Sequence, residues 1–143
     1  MKFERVEKRS FPAVRESIPE ICQWICSRMS LWGCGEENRD KIELASEEIV
    51  TNIVSYAYPE FEGSMTVECG YDAPAKSVYV LFEDQGIPFN PLDRELPPME
   101  LPFDERPVGG LGIYLVMQSV DRIEYWRHEN RNHLKILKEV HHG

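Results

Sequence analysis

Three short stretches of this chain carry residue types that could do chemistry. The first is Glu48 and Asn52, within SEEIVTNIVSYAYP. Four apart on a helix, they stack one turn above the other, on the flank of an apolar stripe of Ile42, Ile49 and Ile53. At about 100° per residue, Glu47 points well away from them. A carboxylate and a carboxamide bordering a core face look together into a shared cavity. Asn52 offers a neutral oxygen to a hard cation that keeps several waters and takes phosphate oxygens, as Mg2+ does. Glu48 is suited to orient or deprotonate an attacking hydroxyl or water. Such a pair also occurs on ordinary solvated helix surfaces, so it does not stand alone.

The second stretch is Asp84-Gln85-Gly86, closing a hydrophobic run with Val78, Val80 and Phe82. A carboxylate at a strand end can accept from an exocyclic amine such as adenine's, a bond to a charged group worth roughly 1.5–3 kcal/mol. Gly86 would let the backbone approach a flat ring. An ordinary turn has the same residues. The third is Gly109-Gly110-Leu111-Gly112, leading into a helix. Glycines before a helix N-terminus expose N–H groups and partial positive charge, which suits a phosphate, and hinge the segment before them. Arg106 is placed to add a fixed charge for the terminal phosphate. The stretch lacks the GxxxxGK[ST] of a phosphate loop and does not follow a strand as a dinucleotide fingerprint does.

These residues need elements to hold them. Residues 2–10 alternate as an edge strand. Pro12 suits a helix start, and Val14, Ile18, Ile21, Cys22, Ile25 and Met29 predict an amphipathic helix over about 13–31. A second helix is predicted from Glu36 to Ala57, stopped by Pro59 and Gly63. Residues 64–72 and 76–84 read as strands joined at Ala73-Pro74-Ala75. From Gln85 to about Gly110 no period holds, and six of the ten prolines fall there; a loop that long in a compact domain is usually functional or disordered. A helix over Leu111–Val120 and strands over 121–128 and 133–140, around an Asn-rich turn, complete the chain. Helices grouped apart from a mostly antiparallel sheet give one α+β domain, a two-layer sandwich spanning 1–143, with a lid over about 86–110.

Composition narrows the function. With 143 residues, 42% hydrophobic and 29% charged, the chain reads as a single globular domain. A net charge of -9 argues against a nucleic-acid surface. No apolar run approaches the roughly 20 residues of a membrane span, and MKFERVEKRSF lacks a signal peptide's apolar core, so the expected location is cytoplasmic. Cys22, Cys26, Cys34 and Cys69 form no metal-ligand spacing and are expected as buried free thiols. None of the four His residues (128, 133, 141, 142) falls in these stretches.

Taken together the three stretches supply different parts of one ligand. SEEIVTNIVSYAYP resembles the N-box of the GHKL ATPase superfamily, FEDQGIPFNP its first glycine box and GGLGIYLV its second. In particular the chain is similar to the bacterial anti-sigma factor serine kinases, which share the E-x-x-x-N, D-x-G-x-P-F and GGLG pattern, over roughly Ser10 to Val140. The resemblance implies a GHKL (Bergerat) fold that uses ATP and Mg2+. Asn52 would match the Mg2+ ligand, Glu48 the general base, Asp84 the adenine-binding carboxylate and Gly86 its glycine partner. Gly110 and Gly112, with Leu111 between them, would match the lid-hinge and phosphate-binding segment. Asn132, placed before the last strand, matches loosely a position near the nucleotide. Asn90 stands where many relatives carry Asp, and the acid- and proline-rich residues 91–107 suggest an altered lid. No phosphoacceptor-His helix precedes the domain, which argues against a self-phosphorylating sensor.

The function this implies is a serine/threonine protein kinase that phosphorylates an anti-sigma factor antagonist and binds a sigma factor. A homodimer through the first helix or the lid stays open, with Trp24 and Trp32 as apolar candidates. Two other readings compete: a nucleotide-regulated binding module with little turnover, motivated by Asn90 and the lid, and a structural domain that binds no nucleotide.

Overall fold

The structure, a computed structural model, describes residues 5–93 and 110–140. Strand β1 (Arg5–Pro12) leads into helices α1 (Ser17–Leu31) and α2 (Glu36–Tyr56), then strands β2 (Ser64–Asp72) and β3 (Ser77–Asp84). A 3₁₀ turn at Pro91–Asp93 follows, then helix α3 (Gly110–Ser119) and strands β4 (Arg122–His128) and β5 (Arg131–Glu139). The strands form one sheet in the order β1-β2-β3-β5-β4, every pair antiparallel.

Alternation along the strands decides which face is covered. Met65 and Val67 on β2, Val78, Val80 and Phe82 on β3, and Leu134 and Ile136 on β5 are buried in one cluster with Ile21, Ile25 and Met29 of α1. Ile42, Ala45, Ile49 and Ile53 of α2 and Val116 of α3 join the same cluster. Helices on one face and solvent on the other give the two-layer α+β sandwich that the alternating pattern predicts. Among the described residues no helix is long and apolar enough to cross a membrane.

Three expectations are corrected. Pro12 does not open α1; it is the last residue of β1, paired with Ser64, where a strand that is paired on one side only tolerates a missing N–H. The helix starts at Ser17 and carries Pro19 in its first turn instead, a position where no intrahelical donor is lost. The final hairpin turns on two residues, Glu129 and Asn130, both at positive φ (52° and 62°). This is the geometry of a tight two-residue hairpin, so Asn132 lies inside β5 and not ahead of it. Cys26 is half-buried while the other three free cysteines are buried. Trp32 is buried and stacks on Tyr71, and Trp24 packs edge-on against Phe11.

Candidate nucleotide site

The register of the sheet builds the site. β3 and β5 pair so that Asp84 lies directly opposite Asn132, and both side chains are buried, on the face that the helices cover. Asp84 Oδ1 accepts the Gly86 N–H at 2.9 Å and the Asn132 Nδ2–H at 3.0 Å. No described residue hydrogen-bonds Asp84 Oδ2. Burial pushes the Asp84 carboxyl above its ordinary value, while the Asn132 amide, the Gly86 N–H and the Arg127 and His133 charges pull it back.

The turn after Asp84 is fixed from both sides. The Ile87 N–H donates to the Ala57 carbonyl at 2.9 Å, and the Gln85 N–H donates to the Tyr58 hydroxyl at 2.8 Å. A Cβ at residue 86 would come within 2.2 Å of the Ala57 carbonyl oxygen. Glycine is therefore required at 86 by the end of α2, before any approach to a ligand ring is considered.

One cavity joins these pieces. It is lined by Asn52, Ile49 and Ile53 of α2, Phe82 and Asp84 of β3, Asn132 and Leu134 of β5, Tyr125 of β4, and Phe89 and Pro91. Counted out to its mouth it holds about 370 Å³ of empty space. Its enclosed part has room for little more than a single water. Phe89, stacked on Tyr56 at 5.4 Å, and Pro91 narrow it, so a purine would enter only as they move.

Asn52 is buried, and among the described residues nothing hydrogen-bonds its carboxamide. A buried neutral oxygen with no hydrogen-bond partner among the described residues, lining a cavity, is chemically a fit for a Mg2+ ligand. Glu48, one turn earlier, is half-buried, whereas Glu47 is exposed. Burial first, and the Glu47 charge second, raise the Glu48 carboxyl above its ordinary value, which moves a carboxylate toward the range of a general base. Glu48 does not line the cavity. Its Oε2 lies so close to the first turn of α3 that a Cβ on Gly112 would approach it to 2.0 Å.

The structure thus brings Asn52, Asp84 and Asn132 around one space, leaves Gly86 in the neighbouring groove with its N–H on Asp84, and sets Glu48 against Gly112. Gly110 and Leu111 open α3. Arg106, Gly109 and residues 94–109 of the expected lid lie outside the described residues. Asn90 is engaged locally, its carboxamide oxygen accepting the Leu92 N–H at 2.9 Å, in an Asx turn that an Asp would form equally well. Sequence reasoning missed Tyr125 and Arg127. The signal was there, because Ile123, Tyr125 and Arg127 alternate on the inward face of β4, and an Arg on such a face calls for a partner.

Comparison with known proteins adds the following. A model of the histidine kinase-like ATPase domain matches residues 11–138. The serine-protein kinase RsbW of Bacillus cereus is 28% identical over 130 residues, covering 90% of this chain and 81% of the relative. The protein of the same name from Bacillus mycoides is 29% identical over 132 residues, with the same coverage. Among solved structures, that of the RsbU and RsbW domains of a Mycobacterium tuberculosis protein superposes with a TM-score of 0.66 at 12% identity. It covers 95% of this chain, which spans 32% of that one. The histidine kinase domain of a blue-light activated histidine kinase from Erythrobacter litoralis gives a TM-score of 0.54 at 17% identity, covering 91% of this chain and 62% of that one. These two structural likenesses speak for the fold.

Proposed function

Since the chain belongs to the histidine kinase-like ATPase domain family, we propose that it is a Mg-ATP-dependent serine/threonine protein kinase. Its substrate would be a small protein that antagonises an anti-sigma factor, and the chain itself would bind and restrain a sigma factor. One observation carries the reading: Asn52 and one oxygen of Asp84, without hydrogen-bond partners among the described residues, line a single cavity, with a carboxylate of raised pKa one helical turn from Asn52. The names of the relatives support protein-serine phosphorylation.

In this reading Asp84 accepts from the adenine amino group and Asn52 holds Mg2+, which would neutralise charge on the phosphates. The opening of α3, at Gly110, Leu111 and Gly112, receives the phosphates, with Arg106 as a further charge. Glu48 orients the serine hydroxyl and takes its proton. A module that only binds nucleotide would have no use for such a base. That rival reading rests on Asn90 and on the unusual lid; Asn90 forms a local Asx turn, and residues 94–109 of the lid lie outside the described residues.

The test is transfer of radiolabel from γ-labelled ATP to a candidate antagonist protein. Glu48→Ala is expected to lower the transfer rate by about 10²–10⁴-fold while nucleotide binding survives. Transfer at the native rate by that variant would show that Glu48 is not the base.

A further inference from the structure

We propose that Arg127, on β4 and outside the cavity, is a positioning residue for base recognition: it reinforces the polarity of Asn132 and pins the Gly86 turn, so that both donors meet one oxygen of Asp84 and the other is left for an amino group. The proposal rests on the ATP reading above and adds how the base is selected.

The Asn132 carboxamide uses both of its ends. Its Nδ2 donates to Asp84 Oδ1 at 3.0 Å and to the Ile87 carbonyl at 2.7 Å. Its Oδ1 accepts the Tyr125 hydroxyl, Arg127 Nη1 at 3.1 Å and, more weakly, the Phe89 N–H at 3.4 Å. An amide can rotate by half a turn at almost no change in shape, so only its partners decide which end faces Asp84. The Tyr125 hydroxyl can donate or accept and tolerates either end. A guanidinium only donates. Arg127 and the Phe89 N–H, which also only donates, hold the oxygen toward β4, while the Asp84 carboxylate and the Ile87 carbonyl, which only accept, hold the NH2 on the other side.

The consequence reaches the ligand. With Asn132 and the Gly86 N–H both donating to Oδ1, the lone pairs of Oδ2, which no described residue uses, remain for whatever enters the cavity. A 6-amino purine gives them a donor, whereas a 6-oxo purine sets a carbonyl oxygen against them. Were Asn132 reversed, its oxygen would face Asp84 and the Ile87 carbonyl, and the carboxylate would have to turn or protonate. Arg127 Nη1 also donates to the Gly86 carbonyl at 2.8 Å, so the same side chain pins the turn that carries the second donor. It lines the neighbouring surface groove with Tyr58 and Phe61 and not the cavity, so it acts through Asn132 and Gly86.

The experiment is calorimetric titration of the full chain with Mg-ATP and with Mg-ITP, its 6-oxo counterpart, for wild type and Arg127→Met. Wild type should prefer ATP. The variant should lose affinity for ATP by about tenfold, the size of one hydrogen bond to a charged group, with ITP affinity unchanged, so that the preference collapses. Equal weakening of both nucleotides would mark a merely structural role and overturn the proposal, as would unchanged binding. If Arg127→Met does not fold, Arg127→Gln decides: its side chain is too short to reach both acceptors, and an intact preference in that folded variant overturns the proposal. Wild type binding neither nucleotide would overturn the ATP reading along with it, whereas equal weakening overturns the role of Arg127 alone.

Discussion

At the scale of single residues, burial costs stability where it serves function. The folded chain holds the Asp84 carboxyl above its value of 3.8 in an unstructured chain. The folded state therefore binds a proton that the unfolded state releases. The contribution of this group to stability is complete below the unfolded pKa and is lost as pH rises through the folded pKa. Asp84→Asn keeps an oxygen for the two donors and removes the buried charge. It should be at least as stable as wild type in denaturant titrations at pH 7, with its relative advantage shrinking as pH falls toward 4. A variant clearly less stable at pH 7 would mean that the bonds from Gly86 and Asn132 outweigh desolvation. Asp84, Glu48 and Asn52 were legible in the sequence because each sits at a position defined by local pattern, a strand end or the flank of an apolar helix stripe. Tyr125 and Arg127 were not read, because their partners follow from the β3–β5 and β4–β5 registers. The β4–β5 register depends on a two-residue turn formed by Glu129 and Asn130, without the glycine that usually signals one.

At the scale of elements, two glycines join α2 to its neighbours and should respond differently to the same substitution. At residue 86 an added methyl meets the Ala57 backbone at 2.2 Å, and the end of α2 or the turn must shift. Gly86→Ala is expected to cost about 1–3 kcal/mol, the usual range for overpacking, and to lower Tm. At residue 112 the added methyl meets the far end of the Glu48 side chain, which can swing aside. Gly112→Ala should melt near the wild-type temperature, helped by the better helix propensity of alanine. If Glu48 is the base proposed above, phosphotransfer by this variant should fall by about 10²-fold or more because that carboxylate is displaced. Melting curves and transfer rates for the two variants check both outcomes; a Gly112→Ala chain with full transfer would mean that the Glu48 position seen here is not the one that reacts. The elements themselves were mostly legible, since long helices and alternating strands declare their periods. What failed was Pro12, whose fixed φ suits both a helix start and an edge strand, and sheet pairing decided between them.

At the scale of the whole molecule, a layer of helices lies over one face of a five-stranded antiparallel sheet, and the site sits where α2 meets the inward face of β3 and β5. The order of the elements gave this architecture from sequence, but not the narrow cavity, which Phe89 and Pro91 from beyond β3 help to line. If the proposed function holds, this cavity takes Mg-ATP once those residues move. Titration calorimetry of wild type and Asp84→Asn with Mg-ATP tests it most directly. The prediction is one nucleotide per chain for wild type and affinity weaker by about tenfold or more in the variant, as expected for loss of a hydrogen bond to a charged group. No binding by wild type, or equal binding by both, would contradict it.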